Sequence, residues 1–539
     1  MSTFANIQKE YRYINLIIVF IILLSIYYLF FIVPPAQAVI YIDTIEKLQK
    51  IGKDSAYPLN GEYELTQDID ATATRNWNGG TGFEPIGDAN AEIYFTGKFN
   101  GNNKKIIGLY INTNNPAGGF VGLFAGIAEG GEVYNLGLEN IDITEGSMYD
   151  VAIGGLAGVN LGTITQCYST GTVDSYGGGR EEAGTFVGGL TGINFGTITQ
   201  CYSTGTVDSY GGGKEEDFVG GLTGINFGTI TQCHFKGTVN SSGGGPVTGG
   251  LIGINFGTIT RCYSIGTVSS SGEFLLAGGL IGGNGGVLTL CYSSGSVSVS
   301  GITFASVGGL VGFNSISDED SASQNCIISE CYSTSFVNGE VSPGSEGDSG
   351  LLGGGLVGYN ASTIQRCYSI GQVKGTGAQG ASIQLGGLVG YNEGGTITSS
   401  YWNKTTSGLN TSDGGIGKTT NEMKQKATYV GWDFNNVWTI DDGQSYPYLR
   451  SLGPTQGIID TIEEGNKEGM EGEGTVGEGN KEENKEGNKD LPEEPETNSC
   501  GCSSKSLKSN YWWKYLLDIF FFSLIISLIS GMRKQEQMK

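Results

Sequence analysis

Residues 188–209 read GGLTGINFGTITQCYSTGTVDS, and the phrase returns with small changes from Gly154, Gly220, Gly249, Gly278, Gly308, Gly354 and Gly386. The steps between copies are 34, 32, 29, 29, 30, 46 and 32 residues. A self-similar period of this size marks a solenoid or array, in which each repeat stacks on its neighbours. An Asn stands six residues after the first Gly in every copy, from Asn160 and Asn194 to Asn392. A Cys stands thirteen after it at Cys167, Cys201, Cys233, Cys262, Cys291 and Cys367. An insertion delays its equivalent to Cys331, and the last copy has Ser400 there.

The phrase is too rich in Gly, Thr, Val and Ile for a helical repeat, and no apolar 3.6 period survives in it. It alternates instead: Cys201, Ser203, Gly205 and Val207 fall on one face, Tyr202, Thr204 and Thr206 on the other. Two or three short strands per repeat, broken by Gly and Asn, describe one coil of a parallel β-helix. The small Cys face suits a narrow core, and the Tyr face is expected to form solvent-side ladders. The Asn is expected at a left-handed turn, its amide bonded to the same amide one coil away. About eleven coils at ~4.8 Å give a length of roughly 50 Å.

GGLxGxN followed by GTITxCYSxGTV resembles the GLUG repeat of bacterial surface proteins, over Gly154 to about Gly408. The resemblance implies a right-handed parallel β-helix and a cell-surface location. Such repeats also occur in N-terminal regions of some IgA-specific metalloproteases. The chain's only His, His234, leaves no HExxH zinc site here.

Around the repeats, residues 1–38 read as an export signal: Lys9 and Arg12, an apolar run from Ile14 to Val33, and cleavage after Ala38 in Ala36-Gln37-Ala38. An uncleaved anchor is the alternative. Residues 39–150 are expected to hold an N-terminal capping helix and the first coils. In the helix, Asp43-Thr44-Ile45-Glu46 reads as a capping box, Ile45, Leu48 and Ile51 share a face, and Gly52 stops it. Asp68, Asp70 and Glu84 suggest either calcium or, more simply, turn caps. The repeat β-helix spans 151–408 and a C-terminal cap 409–452, with a helical turn near Asn421–Ala427. There Trp402, Trp432, Phe434, Trp438 and Tyr446 supply either a cap core or an aromatic sugar platform. Residues 453–499 read as a disordered acidic spacer. Residues 500–539 hold Cys500 and Cys502, then an apolar run from Tyr511 to Ser530 long enough to span a membrane, then Arg533 and Lys534. They read as a sorting or lipidation tail or a permanent anchor.

The elastic segments DSYGGGREEAGTF (174–186) and DSYGGGKEEDF (208–218) are the candidate binding loops. Loops at one repeat position gather on one side of a solenoid, where binding surfaces vary. Tyr176 and Tyr210 suit stacking on sugar rings, and Glu181, Glu182, Glu215 and Glu216 flank them. The thiols face one way along the coils, a geometry that favours unbridged stacking over disulfides; Cys326 is the candidate for a bridge. No cofactor and no metal site are expected. A net charge of −24 argues against a nucleic-acid partner. The reading is a non-enzymatic, surface-anchored β-helix adhesin or stalk that binds glycan or a partner surface. The alternatives are a polysaccharide lyase or hydrolase using carboxylates such as Asp174, Asp208 and Glu216, and a purely structural envelope protein.

Overall fold

The Thr-Ile-Thr tripeptides are short β-branched strands, and they stack parallel and in register: Thr163–Thr165 on Thr197–Thr199, then Thr229–Thr231 and Thr258–Thr260. The computed structural model describes residues 38–454 except 89–90, 114–118, 147–150, 177–183, 212–216, 316–325 and 343–349, and the side chain of residue 302. Described residues fall in one compact unit (Met1–Ile316 and Ser321–Glu464); the other, Ser317–Asp320 and Gly465–Lys539, lies outside them. Each coil adds a second strand beginning at the repeat's Tyr, such as Tyr202–Tyr210, which pairs residue for residue with Tyr168–Ser175 and with His234–Gly243. A third strand, Thr191–Asn194 and its equivalents, forms a nine-stranded parallel sheet. The protein is an all-β parallel solenoid.

The inward columns are those the alternation indicates. Ile198, Cys201, Ser203 and Val207 are buried, while Tyr202, Thr204 and Thr206 are half-buried on the outer face. Two glycines follow from close approach. A Cβ on Gly192 would lie 2.6 Å from Ile153 N and 2.8 Å from Phe186 O, so the third strand can pack there only without a side chain. Gly205, at φ 122°, would place a Cβ 2.1 Å from Gly171 O of the preceding coil.

The Asn column forms the expected ladder. Asn160 Nδ2 donates to Asn194 Oδ1, Asn194 to Asn226 and Asn226 to Asn255, each at 2.8 Å, and the chain of amides continues to Asn392. The left-handed backbone lies elsewhere than expected. Positive φ occurs one residue before the Cys, at Gln166, Gln200, Gln232, Arg261, Leu290, Glu330 and Arg366, and before Ser400 of the last copy at Ser399. The Asn is selected by its two-ended amide, which also receives the turn's own N–H: Asn160 Oδ1 accepts from Gly162 N at 3.1 Å. The Cys column is buried and unbridged, with the backbone N–H of Cys167, Cys201, Cys233, Cys262 and Cys291 each donating to the next coil's sulfur, as from Cys167 to Cys201 at 3.3 Å. Cys326 is also free; its sulfur bonds Asn284 O and Asn314 Oδ1, so the expected bridge is absent.

Near the N-terminus, Ile40–Ile42 pairs with Glu62–Leu65 and a five-residue helix, Ile45–Gln49, follows. Ile45, Leu48 and Ile51 are buried as the pattern indicates. The box centred on Asp43 does not form, because Thr44 is the N-cap, accepting from Lys47 N, and Asp43 pairs with the Lys47 ammonium instead. The helix ends at Gln49, before Gly52. At the last coil, Ser412 Oγ accepts from Leu388 N and Val389 N, and Ile416–Lys418 pairs with Tyr401–Asn403. Those bonds occupy what is otherwise an open strand edge. Helical turns occur at Thr420–Met423 and Lys426–Thr428.

The C-terminal aromatics split. Trp402 belongs to the solenoid core. Trp432, Trp438 and Tyr446 are buried in a separate cluster with Tyr292, Tyr332, Tyr368 and Tyr401, and Phe434 packs beside it. The last Tyr residues are therefore not on a solvent face, because the C-terminal segment lies over them. The same burial rules out the aromatic sugar platform. The expected signal, spacer and membrane run, with Cys500 and Cys502, fall in residues 1–37 and 455–539, outside the described residues. Among the described residues no helix is long and apolar enough to cross a membrane.

Candidate functional site

Strands Tyr168–Ser175 and Tyr202–Tyr210 run parallel and in register, so whatever one coil presents at its end the next presents again. Tyr176 and Tyr210 stack with centroids 5.4 Å apart and planes 13° from parallel. They are 56% and 44% exposed, high for rings of that size. Tyr176 N donates to Glu145 O at 2.8 Å, which ties the first ring's backbone to the coil before it. The two Tyr are thus brought together. Glu181, Glu182, Glu215 and Glu216 lie outside the described residues.

Beside the rings, Asp174 and Asp208 face each other across the ladder. Asp208 Oδ1 accepts from Asn240 Nδ2 at 2.8 Å, and its Oδ2 from Tyr210 Oη at 3.3 Å. Asp174 Oδ1 is buried without a hydrogen-bond partner among the described residues. Burial, then the Asp208 and Asp142 carboxylates, pushes the Asp174 carboxyl up to about 6. The neighbouring Asp142 is paired with Arg75. The Tyr176 hydroxyl is raised chiefly by Asp174, and that of Tyr210 by burial and then Asp208. An exposed aromatic pair beside two carboxylates presents ring faces at its two ends and acceptors along one side, a set that suits a polyol.

Behind this face lies a polar interior that the sequence reading passed over. Asp217 is buried, accepts from Thr185 Oγ1, and is pushed up to about 6 by burial, against the hydrogen bonds from Thr185 and Ser209. The signal was present: Asp217 shares the face of core residue Val219 on one strand. His234 takes the expected place in the Tyr ladder, stacked 4.9 Å from Tyr202 and 4.7 Å from Tyr263. Burial, and then Lys236, holds its imidazole down to about 4. Cys233, next to it, points into the core. Asp70 caps Thr72, the expected turn-capping role, whereas Asp68 accepts from Lys105 N of another strand and Glu84 pairs with the Lys53 ammonium. No cluster of metal-ligating side chains occurs among the described residues.

Residues 149–174 match the family described as the GLUG motif. That stretch is the first copy of the repeat, and the later copies share its register strand by strand. The chain is 38% identical over 135 residues to "Halomucin" of Haloquadratum walsbyi, a match covering 24% of this chain and 1% of that protein. It is 46% identical over 103 residues to a "Putative Gly-rich membrane protein" of Evansella cellulosilytica, covering 19% and 11% of the two. The chain thus spans a small part of the relatives it matches. A crystal structure titled as a putative immunoglobulin A1 protease from Bacteroides ovatus overlaps 77% of this chain and 92% of its own, with 17% identity and a TM-score of 0.33.

Proposed function

We propose that this GLUG-repeat solenoid is a non-enzymatic, cell-surface-anchored adhesin or stalk that binds glycan or a neighbouring surface through the coil ends at Tyr176 and Tyr210. The observation that carries the reading is the exposed, stacked Tyr pair beside Asp174 and Asp208. Exposed rings flanked by acceptors match the apolar and hydroxyl faces of a sugar. In this reading the short N-terminal helix and residues 411–418 cap the solenoid, and the acidic spacer and apolar C-terminal run tether it. The relative named as a membrane protein supports an envelope location.

A second reading rests on the carboxylates. Asp174, raised to about 6, stands beside a second carboxylate, Asp208, and two neighbouring carboxyl groups are what acid–base chemistry on sugars employs. One experiment separates the two: residues 39–452 applied to a polysaccharide panel, recording retention and chain scission together. Retention that Tyr176→Ala and Tyr210→Ala abolish, without scission, supports the adhesin. Scission lost in Asp174→Asn supports the enzyme. Neither result leaves the structural role.

A further inference from the structure

The outer Tyr of the repeats builds a stacked ladder from Tyr168 to Tyr368, and Tyr401 follows in backbone register. Successive rings lie 4.7–5.1 Å apart and close to parallel, including His234. Stacking of this kind covers the ring faces and turns the edges outward. Ring edges carry the positive end of the quadrupole, and their best aromatic partner is the π face of another ring set across them. A sugar, which stacks on faces, gains little there.

The chain itself uses the C-terminal part of the ladder in this way. Trp438 meets Tyr332 and Tyr368 at 6.1 and 6.0 Å, inclined by 51° and 53°, and Trp432 meets Tyr401 at 6.1 Å and 55°. Those Tyr residues are buried as a result. The ladder runs on without a break to Tyr263, His234 and Tyr202, which are only half-buried, with exposed Lys236 alongside. The covering segment, residues 429–449, contains Asp433, Asp441 and Asp442 and no Lys or Arg.

We propose that Tyr202, His234 and Tyr263 form a docking strip for an aromatic-rich, acidic polypeptide segment of another molecule, its rings inclined across the ladder's edges as Trp432 and Trp438 are on the continuation of the same ladder. Continuity with that built interface, and the positive charge of Lys236, identify the occupant's chemistry. The strip is separate from the Tyr176–Tyr210 pair, so the proposal stands or falls apart from the glycan reading.

The probe is a fluorescein-labelled peptide of residues 429–449, titrated onto the full-length chain and followed by anisotropy. Saturable binding is expected, weakened at least tenfold by Tyr202→Ala with His234→Ala, and unchanged by Tyr176→Ala. Tyr202→Phe and His234→Tyr keep a ring in place and should keep the affinity. Lys236→Glu, on the surface, should weaken binding without touching the ladder, and so tests the strip even where the double Ala variant misfolds. No saturable binding overturns the proposal. Binding indifferent to Tyr202, His234 and Lys236, as when the peptide displaces the chain's own segment, also overturns it. So does a neutral glucan oligosaccharide that competes for the strip.

Discussion

Asn226→Ala tests the amide ladder at its middle. Asn226 Nδ2 donates to Asn255 Oδ1 at 2.8 Å and to Gly228 O at 3.2 Å, and its Oδ1 accepts from Asn194 Nδ2 at 2.8 Å. The substitution removes all three bonds at a fully buried site. Asn194 Nδ2 keeps Gly196 O, and Asn255 Oδ1 keeps Gly257 N, so neither neighbour is wholly stranded. At about 0.5–1.5 kcal/mol net per bond, the loss is about 2–4 kcal/mol. Asn392, at the ladder's end, donates to Gly395 O and accepts from Asn360, and it is half-buried. Asn392→Ala should cost about 1–2 kcal/mol on the same scale. Asn226→Asp should be worse than Ala near neutral pH, because it sets an anion against Asn255 Oδ1 where a donor stood. Urea unfolding followed by far-ultraviolet circular dichroism measures the order. Solenoids lose cooperativity between distant repeats, so hydrogen exchange at the coils on either side should accompany it. A loss at position 226 no larger than that at 392 refutes the claim that the ladder couples coils.

Four further outcomes follow from the packing. Gly192→Ala should destabilise by roughly 3 kcal/mol, since the new methyl meets backbone that cannot move aside, whereas Gly394→Ala, at φ 72° with nothing within 4 Å, should cost about 1–2 kcal/mol of backbone strain; paired denaturation curves check the difference. His234 is held at about 4 against an ordinary 6.5, so the unfolded chain takes up its proton first and stability falls as pH drops from about 6.5 to 4. The full shift corresponds to about 3 kcal/mol, reduced to about 1–2 kcal/mol because the ring is partly open to solvent, and His234→Tyr should flatten that part of the pH–stability curve. Trp438→Ala should cost about 3–5 kcal/mol locally, raising exchange in the coils of Tyr332 and Tyr368 while leaving that of Tyr202 unchanged. Burial pushes the Cys167, Cys233, Cys291 and Cys331 thiols up, so a thiol reagent with peptide mapping should label none of the eight described Cys until denaturant is added; native labelling of any contradicts the buried column.

The repeat made the solenoid legible because its signals are local and eightfold: alternation from Cys201 to Val207 gave the faces, and equal Asn spacing gave the amide ladder. The errors arose where a contact depends on the path of the chain. Positive φ was assigned to Asn, a frequent left-handed residue, yet the corner falls at Gln200, whose side chain carries no such signal. The later Tyr residues were assigned to solvent because nothing in their own repeats differs from Tyr202. Only the return of residues 429–449 distinguishes them. Cys326 looked like a bridge partner because its insertion set it apart, but its sulfur is spent on the Asn ladder. Asp217 falls inside the stretch 208–218 read as a binding loop, although its alternation with Phe218 and Val219 places it inside.

In an in-register solenoid, a column of one residue repeated is explained by its own stacking, as the Asn, Cys and Ile columns are. Chemistry specific to this chain must then lie where a column changes identity or loses its cover. The column through Asp174 and Asp208 becomes Asn240 and then Ser269, so paired carboxylates occur at one place along that column. The Tyr column changes once, to His234, within the stretch that the C-terminal segment leaves half-buried. These two breaks lie on different columns and present different chemistry, carboxylates with ring faces in one case and ring edges with a cation in the other. Asp174→Asn removes one of the paired carboxylates and should change glycan binding alone, whereas His234→Tyr keeps a ring in the ladder and should leave both binding properties and the stacked core intact.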